Sequence, residues 1–457
     1  MVDCHILLLT FPAQGAINPS IQLAKNLIRM GVKVTIITTL SAHSRMTKSN
    51  STIPKGLSIS AFSNGYDDGF KEGDNYEHFM SELRIRGSRA IAELIKASAE
   101  ESYPITYLVY TTAQPWVAEV AHGHHIPSAV LWTQPATVFD IFHYYFNGYG
   151  DTNRKIVNDP SSSIQLPGLP LLNSRDLPSI LVPPHSEKYR WAFLSMKEQL
   201  DLISTETNPK ILVNTFDAIE PEALRAMKKH NLIPIGPLIA PSDASFNGDL
   251  FKKSHGYVEW LNSKPISSVV YVSFGSIAVL SKQQMEAIAR GLLESHRPFM
   301  WVIRAKVNGE REEDKLSCLE ELGQEGLIVP WCSQVEVLSH PSVGCFLTHC
   351  GWNSSLESLV SGVPVVGFPQ LLDQMTNAKL LQDVWKMGLR VVANEEGIVD
   401  NKEISRCIEM VMGGGERERE MRGNAKKWKE LAWEAMKDGG SLDMNLKAFV
   451  DALGDGH

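Results

Sequence analysis

Down the whole chain, short apolar runs alternate with stretches of helical pattern, and that alternation leaves little freedom in the fold. In the first half the runs are His5–Phe11, Val32–Thr38, Thr106–Tyr110, Ser128–Leu131 and Ile211–Asn214, separated by helical stretches such as Ser20–Met30 and Arg89–Ala99. The second half repeats the plan with Val269–Ser273, Phe299–Ile303, Leu327–Val329, Gly344–Thr348 and Pro364–Gly367. Strands buried on both faces read as continuous apolar runs, and parallel neighbours need a crossover helix between them. The pattern therefore predicts an α/β chain of two parallel sheets wrapped by helices.

At about 150 residues per domain a chain of 457 residues has room for three units, but the alternation resolves into two large halves. Residues 241–255 (PSDASFNGDLFKKSH) are polar, contain glycine and serine and lack apolar periodicity, so the linker is expected there. This divides the chain into residues 1–240, the linker 241–255, residues 256–435 and a closing helix within 436–457. The acidic and basic stretch Glu310–Glu321 reads as a solvated loop and helix.

Charge narrows the partners. With 44 basic and 52 acidic side chains the net charge is −8, which disfavours nucleic acid or an anionic membrane as partner. The opening MVDCHILLLTFP has too short an apolar run and no basic leader for a signal peptide, and nothing reaches the roughly 18 apolar residues of a spanning helix. A cytosolic monomer is expected. Cys4, Cys318, Cys332, Cys345, Cys350 and Cys407 form no C-x-x-C pair and read as reduced thiols. His122, His124 and His125 sit where a helix ends at Gly123 before a strand, a setting that does not call for a metal.

One block carries the chemistry: Trp331 to Gln374, WCSQVEVLSHPSVGCFLTHCGWNSSLESLVSGVPVVGFPQLLDQ. Its apolar run Gly344–Thr348 stops at His349, Cys350 and Gly351, and Asn353–Val360 then reads as the first turns of a helix. A strand ending at a glycine turn aims the unpaired N–H groups of the next helix into the crevice above the sheet, where phosphate binds. Around that point His349, Asn353 and Ser354 suit a diphosphate, Glu357 suits ribose hydroxyls and Trp331 suits a flat base. Asp373 and Gln374 suit sugar hydroxyls. Taken singly each has an ordinary counterpart, since Ser354 and Glu357 have the spacing of a capping box and a Trp after Pro330 packs into cores. Ser276, after Val269–Ser273 and beside Gly275, is placed either to donate to a phosphate or to cap a helix. The conjunction reads as a nucleotide-sugar cradle.

The block resembles the signature of the plant family-one UDP-dependent glycosyltransferases, which likewise runs for 44 residues from Trp to Gln. The likeness extends along nearly the whole chain through HILLLTFPAQGAINPSIQLAKNLI at the start, Pro167–Gly168, Ile211–Phe216, Gly236–Pro237, Val272–Ser276 and the tail Gly439–Val450. It is most similar to the branch that includes anthocyanin 5-O- and flavonoid glucosyltransferases and some that esterify carboxylic acids. The resemblance implies a GT-B fold, two Rossmann-like domains facing each other across a cleft. Residues 1–240 would bind the acceptor and 256–435 the donor, with the closing helix returning to the first half.

Within the block the resemblance implies that Trp331 stacks on uracil, that the Cys332 backbone and the Gln334 side chain border base and ribose, and that Glu357 takes the ribose hydroxyls. His349, Asn353 and Ser354, with the backbone near Trp352, would hold the phosphates, while Asp373 and Gln374, helped by Thr133, would grip the sugar. A terminal Gln accompanies glucose, so UDP-glucose is the expected co-substrate and a small phenolic, flavonoid or carboxylic acid the expected acceptor. The reaction implied is displacement at the anomeric carbon with inversion. No cofactor or metal is expected, and the sequence contains no D-x-D.

Two positions depart from the family where the chemistry belongs. In PAQGAINP the family has its general-base histidine where this chain has Ala16, and in LVYTTAQPW many relatives have the orienting Asp where it has Thr111. Alanine in an otherwise intact loop reads as a base removed by design, whereas Thr111 continues into a locally consistent segment and reads as a branch variant. The chain is therefore expected to bind UDP-glucose but turn over poorly. The alternatives are a non-catalytic UDP-sugar-binding protein, or an oxidoreductase or phosphotransferase on a similar sheet. The last lacks support, since neither G-x-G-x-x-G after the first strand nor G-x-x-x-x-G-K-[ST] is present.

Overall fold

A computed structural model describes residues 4–47, 53–71, 73–101, 103–148, 162–183, 189–227, 230–240, 246, 248–251, 253–304 and 316–454. Of the expected linker, residues 241–245, 247 and 252 lie outside the described residues, as do residues 310–315 of the expected solvated stretch. In chain order the strands are β1 (His5–Leu9), β2 (Lys33–Thr39), β3 (Leu57–Phe62), β4 (Tyr107–Thr111), β5 (Ser128–Trp132), the small hairpin β6 (Ser163–Gln165) and β7 (Leu171–Asn173), β8 (Lys210–Val213) and β9 (Asn231–Pro234). The second half supplies β10 (Val269–Ser273), β11 (Phe299–Val302), β12 (Gly326–Val329), β13 (Val343–Thr348), β14 (Val365–Gly367) and β15 (Gly388–Arg390).

Two parallel sheets result, ordered β3-β2-β1-β4-β5-β8-β9 and β12-β11-β10-β13-β14-β15. In each the chain winds outward to one edge, returns to the middle and winds outward to the other. The reversals fall between β1 and β4 and between β10 and β13. A crevice opens at the carboxyl ends of the strands flanking such a point, and ligands bind there in open α/β sheets. The expected pair of Rossmann-like domains is what forms.

Besides the small hairpin β6–β7, three strands escaped the sequence reading: β3, β9 and β15. All three are edges. An edge strand is not buried on both faces, so β3 shows a mixed burial pattern instead of an apolar run. The first helix is also longer than expected, running Gln14–Arg29, because Gly15 and Pro19 look like loop residues in sequence. Pro19 lies inside this helix and has no N–H to offer the carbonyl of Gly15 four residues earlier. That carbonyl is left for another donor.

The aromatic run after β5 belongs to the core, with Phe139 and Phe142 buried in the helix Ala136–Phe146. The closing helix Ser441–Gly454 lays Leu442, Leu446, Phe449 and Val450 into the same cluster as Ile6, Leu8 and Val34. There Phe449 meets Tyr107 edge-on, ring centroids 5.5 Å apart. Among the described residues no helix is long and apolar enough to cross a membrane.

The two halves are locked face to face. Phe216 and Ile219, just beyond β8, are buried in the core of the second half beside Tyr271, Trp352 and Trp385. The indole N–H groups of Trp352 and Trp385 donate to the carbonyls of Asn214 (2.7 Å) and Ile219 (3.1 Å). On the far side the buried carboxylate of Asp176 takes Arg390 at 2.7 Å and Lys379 at 3.7 Å. Replacing one member of a buried ion pair leaves the other charge uncompensated, at a cost of about 3–5 kcal/mol. Asp176→Asn should lower the thermal midpoint by several degrees, more than the exposed-pair change Lys197→Gln, and differential scanning fluorimetry of both variants checks it.

Candidate active site

The carboxyl end of β13 turns sharply into the helix Trp352–Ser361, with Cys350 in the left-handed region (φ 60°) and Gly351 as a cap that offers no side-chain hydrogen bond. The first-turn N–H groups of that helix therefore face the cleft without a side-chain cap. The Ser354–Glu357 spacing is not a capping box, because the helix begins earlier than the sequence suggested and both residues lie inside it. Instead, Ser354 Oγ accepts from Gln334 Nε2 at 2.8 Å. Its own proton is left to donate.

His349 is packed between Gly275 and Gly351 so closely that a Cβ on either would lie 2.5 Å from its Nε2. Burial, with the Arg304 charge adding to it and the Ser273 backbone opposing, brings the imidazole down to about 4. It is a neutral ring at physiological pH. Ser276 belongs to the turn after β10 and caps no helix, since the next one, Lys282–Glu294, is capped by Ser281. Arg304, which the sequence reading did not single out, donates to the carbonyls of Ser276 and Ala278 and holds that turn in place. A lone Arg at a strand end gives no signal of this.

Beside Ser354, Gln334 Nε2 also reaches Glu357 Oε2 at 2.5 Å, and the buried Tyr271 hydroxyl lies 3.3 Å from both Cys332 Sγ and Gln334 Oε1. Burial raises Glu357 to about 7; the Gln334 bond opposes that and the Asp249 charge adds to it. Trp331, half-buried, lies against Phe251 with ring centroids 4.4 Å apart.

Asp373, at the end of the block, accepts from Asn377 Nδ2 at 2.7 Å, and burial raises it to about 6 despite that bond. The Gln134 side chain of the first half lies near enough to oppose that rise. Thr133, expected from the sequence to reach the sugar, is the residue next to Gln134. The Gln374 side-chain oxygen accepts from the N–H groups of Gln370 (2.8 Å) and Leu371 (2.9 Å), which turns its amide NH₂ toward other partners.

Opposite stands the first half. The Gly15 carbonyl freed by Pro19 accepts from Asn353 Nδ2 at 3.0 Å. This places the turn bearing Ala16 directly against the start of the helix Trp352–Ser361. Thr111, fully buried at the end of β4, accepts from the Phe11 N–H and donates to Gln114 Oε1, each at 2.9 Å. Its hydroxyl proton is committed, and it carries no charge. Beside it Ala113 adopts φ 71°, a left-handed conformation rare for alanine. Among the described residues no three His, Cys, Asp or Glu side chains gather as a metal site.

Comparison with known proteins identifies the family. The family described as UDP-glucoronosyl and UDP-glucosyl transferase matches residues 240–421. The chain is 57% identical to the crocetin glucosyltransferase, chloroplastic, of Gardenia jasminoides, over 99% of this chain and 98% of that one. It is 51% identical to the anthocyanidin 3-O-glucoside 5-O-glucosyltransferase of Verbena hybrida, over 99% of each. Among solved structures, Os79 from O. sativa in complex with UDP superposes with a TM-score of 0.85 at 32% identity, covering 98% of this chain and all of that one. A glycosyltransferase signature set at the mouths of two facing Rossmann-like sheets, with relatives that match end to end, makes this chain a member of the plant family-one UDP-glycosyltransferases.

Proposed function

We propose that the protein is an inverting UDP-glucose-dependent glucosyltransferase of plant secondary metabolism whose turnover is held back by Ala16. Its acceptor would be a small phenolic or flavonoid hydroxyl, or a carboxylate. The observation that carries this is the 3.0 Å bond from Asn353 Nδ2 to the Gly15 carbonyl. It sets position 16 beside the open helix end proposed to hold the diphosphate. An acceptor oxygen entering there attacks the anomeric carbon, the bond from that carbon to the phosphate oxygen breaks, and UDP leaves with the electron pair. His349, Asn353, Ser354 and the N–H groups near Trp352 would stabilise the growing charge, with Ser276 beside them. Trp331, Cys332, Gln334 and Glu357 would hold the nucleoside, and Asp373, Gln374 and Thr133 the hexose. A reducing cytosol and a monomeric state complete the reading, in keeping with six buried free thiols.

Alanine cannot take the proton that a hydroxyl loses during attack. Loss of a general base costs about 10²–10⁴ in rate, or roughly 3–5 kcal/mol, and leaves donor binding intact. Ala16→His should raise kcat by that factor with a flavonoid, and by much less with an aromatic acid, which is already ionised because its pKa is roughly 4–5. Equal gains with both acceptors would refute the assigned role. The competing reading, a non-catalytic UDP-sugar-binding protein, draws on Thr111, whose committed hydroxyl cannot orient an imidazole as a carboxylate does. No turnover by Ala16→His would favour it.

Two further measurements test the donor site. A carboxylate gripping ribose hydroxyls must be ionised, so with Glu357 near 7 a UDP complex formed below that pH must first release a proton. UDP affinity should rise from pH 6 to 8, and Glu357→Gln should weaken binding and flatten that part of the profile that titration of UDP itself does not explain. If fixed donors alone carry the leaving-group charge, EDTA should leave the rate of the Ala16→His variant unchanged; inhibition reversed by Mg²⁺ would refute it.

A further inference from the structure

Phe251 lies outside the 44-residue block, in the polar segment where the sequence places the linker. The described part of that segment is fastened instead. Gln14, two residues before Ala16, accepts from the Leu250 N–H at 2.8 Å and donates to the Gly248 carbonyl at 3.4 Å. Further along, the Ser254 N–H donates to the Trp331 carbonyl at 3.0 Å, and Lys253 pairs with Glu336 at 2.5 Å while lying over the Tyr257 ring. Asp249, carried between the two backbone groups that Gln14 holds, lies close enough to Glu357 for its charge to be felt there. The segment is thus a strap across the nucleoside end, tied to both halves.

Of its two phenylalanines, Phe246 is buried in the core of the first half and Phe251 meets the Trp331 ring. The rings of Phe251 and Trp331 are 4.4 Å apart and inclined by 34°, close to an offset stack. They share the wall of a cavity of about 380 Å³ whose lining includes Pro330 and Arg304. Trp331 follows Pro330 in a loop and is itself only half-buried, so without a neighbour its indole would be free to turn. A base that stacks on a ring already held in place avoids the cost of ordering it.

We infer that Phe251 is a positioning residue of the nucleoside site, backing the Trp331 indole so that its plane is set for a pyrimidine base. The inference rests on the reading of Trp331 as the base platform. It extends the donor site to a residue beyond the block and makes the strap part of donor recognition.

Calorimetry with UDP and, separately, inorganic pyrophosphate on the full chain tests it with four variants. Phe251→Ala and Phe251→Leu should each weaken UDP about three- to tenfold, the range of one aromatic pair. Phe251→Tyr, which keeps the ring, should bind UDP as the parent does. Pyrophosphate, which has no base, should bind all of them equally. UDP binding that is unchanged or tighter in Phe251→Ala and Phe251→Leu overturns the inference, as does an equal loss of pyrophosphate affinity, which would mark general damage. Trp331→Ala separates the two levels. If it leaves UDP affinity intact, the platform reading fails and the inference with it; if it weakens UDP while both Phe251 variants do not, only the inference fails.

Discussion

The site depends on one junction between two helix starts. Pro19 deprives the Gly15 carbonyl of its partner within the helix, and Asn353 in the first turn of the opposite helix supplies one. Each helix follows the strand at its sheet's reversal point, so the bond joins the two places where open sheets offer a crevice. A substitution of Pro19 would act on catalysis through geometry, by returning that carbonyl to its own helix.

Around the junction the polar side chains of the site are largely buried. The His349 imidazole is neutral, Glu357 and Asp373 are pushed up to about 7 and about 6, and Arg304 spends its guanidinium on two loop carbonyls. A diphosphate arriving here would meet fixed dipoles rather than mobile charges. Oriented dipoles in a low-dielectric setting need no rearrangement when charge moves, which suits a leaving group whose charge grows during the reaction.

Much of this was legible in the chain. The buried inner strands announced themselves as apolar runs, and the 44-residue block announced the helix start with its His, Asn and Ser. The edges β3, β9 and β15 did not, because half-buried strands lose the apolar signal. Nor did Arg304 and Phe251, each a lone residue of common type whose importance arises from what another part of the chain places opposite it. Even a true signal misled locally: S-x-x-E suggested a cap, but the helix had already started at Trp352 and Ser354 turned to Gln334. Local pattern reports local structure; partners across the cleft are invisible to it.

The plug formed by Phe216 and Ile219, with the two indoles bonded behind it, limits how the enzyme can breathe. Swinging the halves wide would drag two apolar side chains into water, at about 1.5–3 kcal/mol each, and exchange two indole hydrogen bonds for bonds to water, at about 0.5–1.5 kcal/mol each. Small-molecule traffic is thereby confined to rearrangements of surface segments around a rigid hinge, so the gate to the cleft lies at its rim and not at its spine.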